Sequence, residues 1–438
     1  MNRGVQGGSS PRLENAPDLL IVGADLVGQG RADLLIRDGV LIDPANAAPD
    51  AERIDADGLV ALPGLVDLHT HLREPGREDA ETVRTGTRAA AVGGYTAVLA
   101  MANTNPVTDT AEAAEHLAAL GRTAGSAQVV PVGAVSKDLA GAELAELGLM
   151  ARSGARVRMF SDDGHCVADA RLMRRALEYV RAFDGCVAQH AQDPQLAGPE
   201  ACCHEGEISG RLGLAGWPAA AEASIVARDV QLAELTRSRL HVCHVSTAET
   251  VEVLRWAKQR GINVTAEVTP HHLLLTTDEV TNYDPTYKVN PPLRPDEHVQ
   301  ALRDALSDGT IDAVGTDHAP HARHDKEHAF ADAAFGMLGL ETALAVVIET
   351  MINPGRFGWR ELAERMSMVP AHIARLPEQG RPLTVGEPGN VTLIDPAARA
   401  VVDRSASASL SRNNPWHGRD LPDPVVATVW AGRVTYRR

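Results

Sequence analysis

Eight apolar, β-branched runs alternate with helix-patterned stretches, and each run closes on polar side chains; together these predict an α/β fold for this 438-residue chain. The predicted architecture is a (β/α)8 barrel of the TIM type over residues 63–380, with a small β-sandwich domain assembled from both termini, 18–62 plus 381–438. A barrel of that kind takes about 250 residues or more as one unit, so a barrel and one satellite account for the length. Residues 1–17, MNRGVQGGSSPRLENAP, hold no apolar stretch and are expected to form a flexible tail.

The two ends share a texture. DLLIVGADLV, ADLLIRDGVLID and GLVALPG are short apolar runs broken by Gly and Asp, the pattern of β-hairpins, and NVTLIDP (390–396) and PVVATVWAGRV (424–434) repeat it. Between them come LVDLHTH (65–71), YTAVLAMANT (95–104), AQVVPVGAVS (127–136), RVRMFSDDG (156–164), CVAQHAQD (186–193), LHVCHVST (240–247), INVTAEVTPHH (262–272) and IDAVGTDHAPH (311–321). Intervening stretches such as DARLMRRALEYVRAF and STAETVEVLRWAKQR have helical character, which three others carry less clearly. In a (β/α)8 barrel the C-terminal strand ends form one rim, so polar residues far apart in the chain are expected to converge there.

Composition narrows the function. Hydrophobic residues at 44% and charged residues at 23% exclude global disorder. A net charge of −16 and only 3% aromatics argue against a nucleic-acid partner. No apolar run approaches the ~20 residues of a membrane span. Five cysteines, an odd count without regular spacing, do not resemble a secreted disulfide framework, and a cytoplasmic protein is expected.

The strongest local signal is DLHTHLREPG, residues 67–76. Side chains at i and i+2 of a strand share a face, so His69 and His71 suit a single Zn²⁺. An isolated HxH serves as readily for hydrogen bonding; the ends of the other runs carry the argument. Run four closes on FSDDG, where Asp163 or Asp162 supplies a carboxylate and alternation turns the two apart. His190 closes run five. Run six offers His244, with His241 as competitor, and run eight offers Asp317 beside His318 and His321. Four imidazoles and two carboxylates exceed the three protein ligands of a typical mononuclear catalytic zinc site. The surplus fits two metals sharing a bridging carboxylate and a bridging water whose pKa falls from 15.7 to roughly 7. Asp317 would take its proton and return it to a leaving nitrogen. The expected chemistry is metal-assisted hydrolysis, or its reverse, of an amide-type bond.

These residues resemble the cyclic amidohydrolases and, within them, the bacterial type I dihydroorotases. The resemblance spans nearly the whole chain through VDLHTHLREPG, MANTNP, FSDDG, HVCHVST, YKVNPPLR, GTDHAPH, the later FG pair, NNPWHG (413–418) and the final VWAGRV. It implies that His69, His71 and Asp317 bind one zinc, that His190 and His244 bind a second, and that Asp163 bridges them. Asp317 is implied as the catalytic acid/base, acting with a metal-bridged hydroxide. Arg73, Asn103 and His321 are implied to hold a substrate carboxylate, with His71 beside them; Asn290 and the backbone around Phe335 and Gly336 are implied as ring contacts. A guanidinium fork at Arg73 is the kind of group that overcomes the repulsion an anion meets from a chain of net charge −16. One departure is Ala102, where the family has Pro before the Asn of its NTxP loop.

The implied reaction is the reversible cyclisation of N-carbamoyl-L-aspartate to L-dihydroorotate in de novo pyrimidine (UMP) synthesis. A second reading is another cyclic amidohydrolase, an allantoinase or a dihydropyrimidinase/hydantoinase. Those relatives bridge their metals with a carboxylated lysine after the fourth strand, and none of the four lysines here (Lys137, Lys258, Lys288, Lys326) lies in RVRMFSDDG. A third reading is a non-catalytic dihydroorotase-like partner of aspartate transcarbamoylase; such relatives are expected to have lost ligands that this chain keeps. A complex with the transcarbamoylase is compatible with catalysis, and a homo-oligomer is expected.

Overall fold

The computed structural model describes residues 18–438; the tail predicted over 1–17 lies outside the described residues. Each apolar run holds a strand: β1 (Leu65–Thr70), β2 (Tyr95–Ala100), β3 (Gln128–Pro131), β4 (Met159–Phe160), β5 (Cys186–Gln189), β6 (Arg239–Val242), β7 (Val264–Val268) and β8 (Ala313–Val314). Neighbours pair in parallel, β1 to β3 in one sheet and β4 to β8 in another. Two bridges join the sheets, Gly133 with Phe160 and Thr70 with His318, so the strand order returns to its start. The ladders are shorter than the runs because the chain leaves them to aim polar side chains from their C-terminal ends.

The seam between first and last strands is tied by a buried carboxylate. Asp67 accepts the Thr316 N–H at 2.8 Å and the Thr316 hydroxyl at 2.6 Å, while His71 N–H donates to His318 O at 2.9 Å. Burial pushes the Asp67 carboxyl up to about 6 despite these donors. Leu68, Leu99, Val132, Met159, Ala188, Cys243 and Ala313 form one buried cluster, drawn from seven of the eight strands or their C-terminal ends. Each large member contributes roughly 1.5–3 kcal/mol by burial.

The expected helices form at Ala170–Val180 and Ala248–Gln259, where Asp169 and Thr247 side chains accept the N–H groups of Leu172 and Thr250. The connection after β3 carries a short helix, Leu147–Arg152, preceded by a 3-10 turn at Lys137–Leu139.

Segments from both ends of the described residues meet in one eight-stranded sheet. Val60–Pro63 pairs antiparallel with Val391–Ile394, Val391 opposite Pro63, and Leu19–Leu26 lies between Val60–Pro63 and Arg31–Arg37. Ile21, Ile36, Leu393 and Val429 build its core. Arg399–Val401 and Asp420–Pro422 form a separate antiparallel pair. Among the described residues, no helix is long and apolar enough to cross a membrane.

Candidate functional site

The strand ends bring six side chains into one buried cluster: His69 on β1 and His71 just beyond it, Asp163 after β4, His190 after β5, His244 after β6 and Asp317 after β8. None is more than 5% exposed. Asp163 lies at the centre. Its Oδ1 is 3.3 Å from His69 Nε2, 3.3 Å from His244 Nε2 and 3.4 Å from His190 Nδ1, and its Oδ2 is 3.2 Å from His71 Nε2. Asp317 Oδ1 is 3.2 Å from His71 Nε2 and 3.7 Å from His69 Nε2. Two donor groups of metal-ligating type result, His69–His71–Asp163 and Asp163–His190–His244, with Asp163 common to both.

The alternatives left open by spacing separate by what each side chain touches. Asp162 accepts the backbone N–H groups of Val135 and Ser136 at 2.8 and 2.9 Å and the Ser136 hydroxyl, and so pins the loop after β3. His241 sits one layer down, its Nδ1 2.9 Å from Thr265 Oγ1 and its Nε2 3.3 Å from Glu267 Oε2. His318 Nδ1 accepts Gly339 N–H at 3.2 Å, and its Nε2 is 3.4 Å from Glu81.

Hydrogen bonds fix how the β1 imidazoles present themselves. His69 Nδ1 donates to Glu267 Oε1 at 2.7 Å and His71 Nδ1 donates to Asn103 Oδ1 at 2.9 Å, which turns both Nε2 atoms toward the carboxylates. His69 Nε2 is buried with no hydrogen-bond partner, as a nitrogen awaiting a cation would be. His190 Nε2 donates to Gln192 Oε1 at 3.0 Å, and its Nδ1 is 2.9 Å from His244 Nε2. Three site residues hold left-handed backbone, Arg73 at φ 61°, His244 at φ 31° and Asp317 at φ 45°. Such strain costs of order 1–3 kcal/mol each and gathers where geometry serves function.

Burial disfavours charge on Asp163, His69, His71 and Asp317, yet their contacts with one another outweigh it. The imidazoles around Asp163 hold its carboxyl well below the usual range, and Asp163 lifts His69 well above the ordinary histidine value. His71, bonded to Asp163 and Asp317, is raised too, and His71 and His69 depress Asp317. The two donor groups, imidazoles around a shared carboxylate, have the chemistry of divalent-cation ligands, so the residues fit a metal site.

Beside the cluster, half-buried Arg73 donates from Nε to Pro320 O at 2.9 Å, with Nη2 3.4 Å from His321 Nε2. Burial brings the Arg73 guanidinium down only to about 10, so it stays charged at neutral pH. His321 Nε2 donates to Phe335 O at 2.6 Å, and burial beside Arg73 keeps the ring neutral. Gly336 has φ 133°, and a Cβ there would stand 2.7 Å from Ala319 Cβ, so only glycine lets this loop close on His321. Asn290 Nδ2 donates to Gln192 Oε1 at 3.1 Å, while its Oδ1 is buried and unpartnered.

Sequence reasoning missed Glu267 and His271. Glu267 bonds His69 and approaches His241, and His69, Cys243 and Glu267 form a third close donor group. A glutamate inside the apolar run VTAEV was its signal, since glutamate is buried only when paired. His271, after β7, is buried with an unpartnered Nε2 and is held neutral by burial and by His272.

Residues 58–250 match the family model described as "Dihydro-orotase-like". The chain is 58% identical to a dihydroorotase of Streptomyces coelicolor, over 95% of this chain and 97% of that protein. It is 56% identical to a dihydroorotase of Mycobacterium tuberculosis, over 96% and 98%. Among solved structures, the L-hydantoinase (dihydropyrimidinase) from Arthrobacter aurescens superposes with a TM-score of 0.83 at 26% identity, covering 96% of each chain. With relatives this similar along nearly its full length, the chain belongs to the dihydroorotase family.

Proposed function

We propose that this protein is a dihydroorotase that interconverts N-carbamoyl-L-aspartate and L-dihydroorotate for pyrimidine synthesis, with two Zn²⁺ held by His69, His71, Asp163, His190, His244 and Asp317. The observation that carries the reading is one carboxylate, Asp163, shared by two donor groups. The circular strand order is read as a (β/α)8 barrel over 63–380. The mixed terminal sheet is read as the core of a small β-sandwich domain, 18–62 plus 381–438.

When bound, such a metal pair supplies Lewis-acid polarisation of an amide carbonyl and acidifies a water. The side chains do the rest. Asp317, ionised at neutral pH, receives the proton released as water adds to the ring carbonyl and delivers it to the departing nitrogen; in the reverse direction the transfers run backward. Arg73 holds the substrate carboxylate through its guanidinium fork. Asn103, whose Oδ1 orients His71, offers its amide N–H groups to the same carboxylate, and His321, its one N–H spent on Phe335 O, packs against Arg73 and braces it. The unpartnered Asn290 Oδ1 accepts a ring N–H, and the backbone around Phe335 and Gly336 contacts the ring.

The test is ring opening of dihydroorotate by metal-loaded protein, run beside hydantoin, allantoin and dihydrouracil. Dihydroorotate is the expected substrate. Arg73→Ala should raise its KM by about 10–100-fold, the weight of a charge-assisted contact. Turnover of the neutral rings with dihydroorotate untouched would move the chain to the hydantoinase branch. Absence of both metal and turnover would make it a non-catalytic partner of aspartate transcarbamoylase.

A further inference from the structure

Two of the chain's lysines, Lys288 and Lys326, are buried, and both are spent on the loop that carries Phe335 and Gly336. Lys288 Nζ donates to Ala331 O at 2.7 Å and stands 4.2 Å from the centre of the Phe335 ring. Lys326 ends the short helix Arg323–Lys326 and does more. Its Nζ donates to Ala334 O at 2.8 Å, to Gly336 O at 3.0 Å and to Lys288 O at 3.3 Å. Each N–H bond of the ammonium thus has its own acceptor.

Those oxygens belong to two segments far apart in sequence. Ala334 and Gly336 flank Phe335, while Lys288 stands just ahead of Val289 and Asn290. Gly336 N–H ties the segments a second time, donating to Lys288 O at 2.9 Å. The same short helix also reaches the chain beyond β1. Arg77 bonds the Asp325 carboxylate, and its backbone N–H donates to Arg73 O at 3.1 Å. The helix therefore links the segments that carry Arg73, Asn290 and Phe335–Gly336.

A plain staple does not need this arrangement. Among the described residues Lys326 has no ion-pair partner, although buried ammonium groups are normally paired with a carboxylate. Burial and the neighbouring Lys288 pull its pKa down to about 7, Asp284 and Asp325 pull the other way, and the three acceptors favour the ammonium. A neutral donor holds one carbonyl at less cost. Gathering three at one atom requires the ammonium.

We propose that Lys326 is a positioning residue for the substrate ring: it acts through the backbone, holding the Asn290 segment and Phe335–Gly336 at the separation at which both meet the closed ring together. The assignment rests on the dihydroorotase reading. A closed ring fixes its N–H and carbonyl groups in one plane, whereas the open chain turns about its single bonds. Both contacts are therefore made together by dihydroorotate and by the ring-like transition state, but not by N-carbamoyl-L-aspartate.

The test compares Lys326→Met, which keeps the length of the side chain without a donor, with Lys326→Gln, which keeps an amide NH2. Each is assayed in both reaction directions and by backbone hydrogen exchange. In Lys326→Met, ring opening should show a KM for dihydroorotate raised by about tenfold or more, with kcat kept. Ring closure should show the same factor as a fall in kcat, with the KM for N-carbamoyl-L-aspartate kept, because the equilibrium constant fixes the ratio of the two kcat/KM values. Gly336 N–H should exchange faster, with zinc content unchanged. Lys326→Gln should show the same pattern at smaller size, and it decides the matter if the methionine variant does not fold. A loss of kcat in both directions with both KM values kept would mean fewer active molecules and would overturn the proposal, as would Gly336 exchange as slow as in the parent. A parent that leaves dihydroorotate untouched would sink the functional reading instead, and Gly336 exchange would still decide whether Lys326 holds the two segments.

Discussion

The two halves of the buried histidine–aspartate cluster are held differently. On the β1 side, His69 and His71 each spend Nδ1 on a fixed acceptor, Glu267 and Asn103, so the protein sets the direction of both Nε2 atoms. On the β5–β6 side, His190 leans on Gln192, and the ring nitrogens of His190 and His244 lie 2.9 Å apart. One half is pre-aimed by the scaffold; in the other, two imidazoles face each other beside the Asp163 carboxylate. A carboxylate acceptor strengthens a histidine ligand more than an amide does, so the β1 position is expected to bind metal more tightly.

Four substitutions sharpen that contrast, from the largest effect to the smallest. Asp317→Asn removes the group assigned to proton transfer but leaves the imidazoles in place. It should lower kcat by about 10³-fold, or ~4 kcal/mol of barrier, with at least one metal per chain retained by elemental analysis. Glu267→Gln should cost about 10–100-fold in activity or metal affinity, seen as a shift in the zinc concentration needed to reactivate apoprotein. Gln192→Ala should cost less than Glu267→Gln in the same titration; the opposite order would invert the comparison. Glu81→Gln should leave chemistry nearly intact and change the pH profile of stability instead.

The sign of that last effect follows from the carboxyl's surroundings. Burial raises Glu81, but His318, Ser409 and Thr85 more than compensate and hold it below its ordinary value of 4.5. A depressed carboxyl stabilises the fold fully above about 4.5 and loses that contribution as pH falls through the folded value. Urea unfolding at neutral pH should therefore show Glu81→Gln weaker than the parent, with the gap closing in acid.

Much of this was legible in the sequence. The i, i+2 spacing of His69 and His71 and the polar ends of the apolar runs lead to the cluster, because strand periodicity is a local property. The supports were not legible. His69 meets Glu267 across 198 residues of sequence, and Asp162 meets Ser136 through a loop. Which of two adjacent aspartates faces the imidazoles depends on where a strand stops, and β4 is a two-residue ladder. The Phe335–Gly336 loop reads as a plain FG pair until Ala319 and His321 are found where a Cβ would stand.

The central claim is that Asp163 joins two metal positions. Its most direct measurement is the zinc content per chain of the parent and of Asp163→Asn, each paired with dihydroorotate ring opening. Two ions and activity are expected in the parent, and at most one ion with activity lost in the variant. Two ions and undiminished turnover in Asp163→Asn would contradict it.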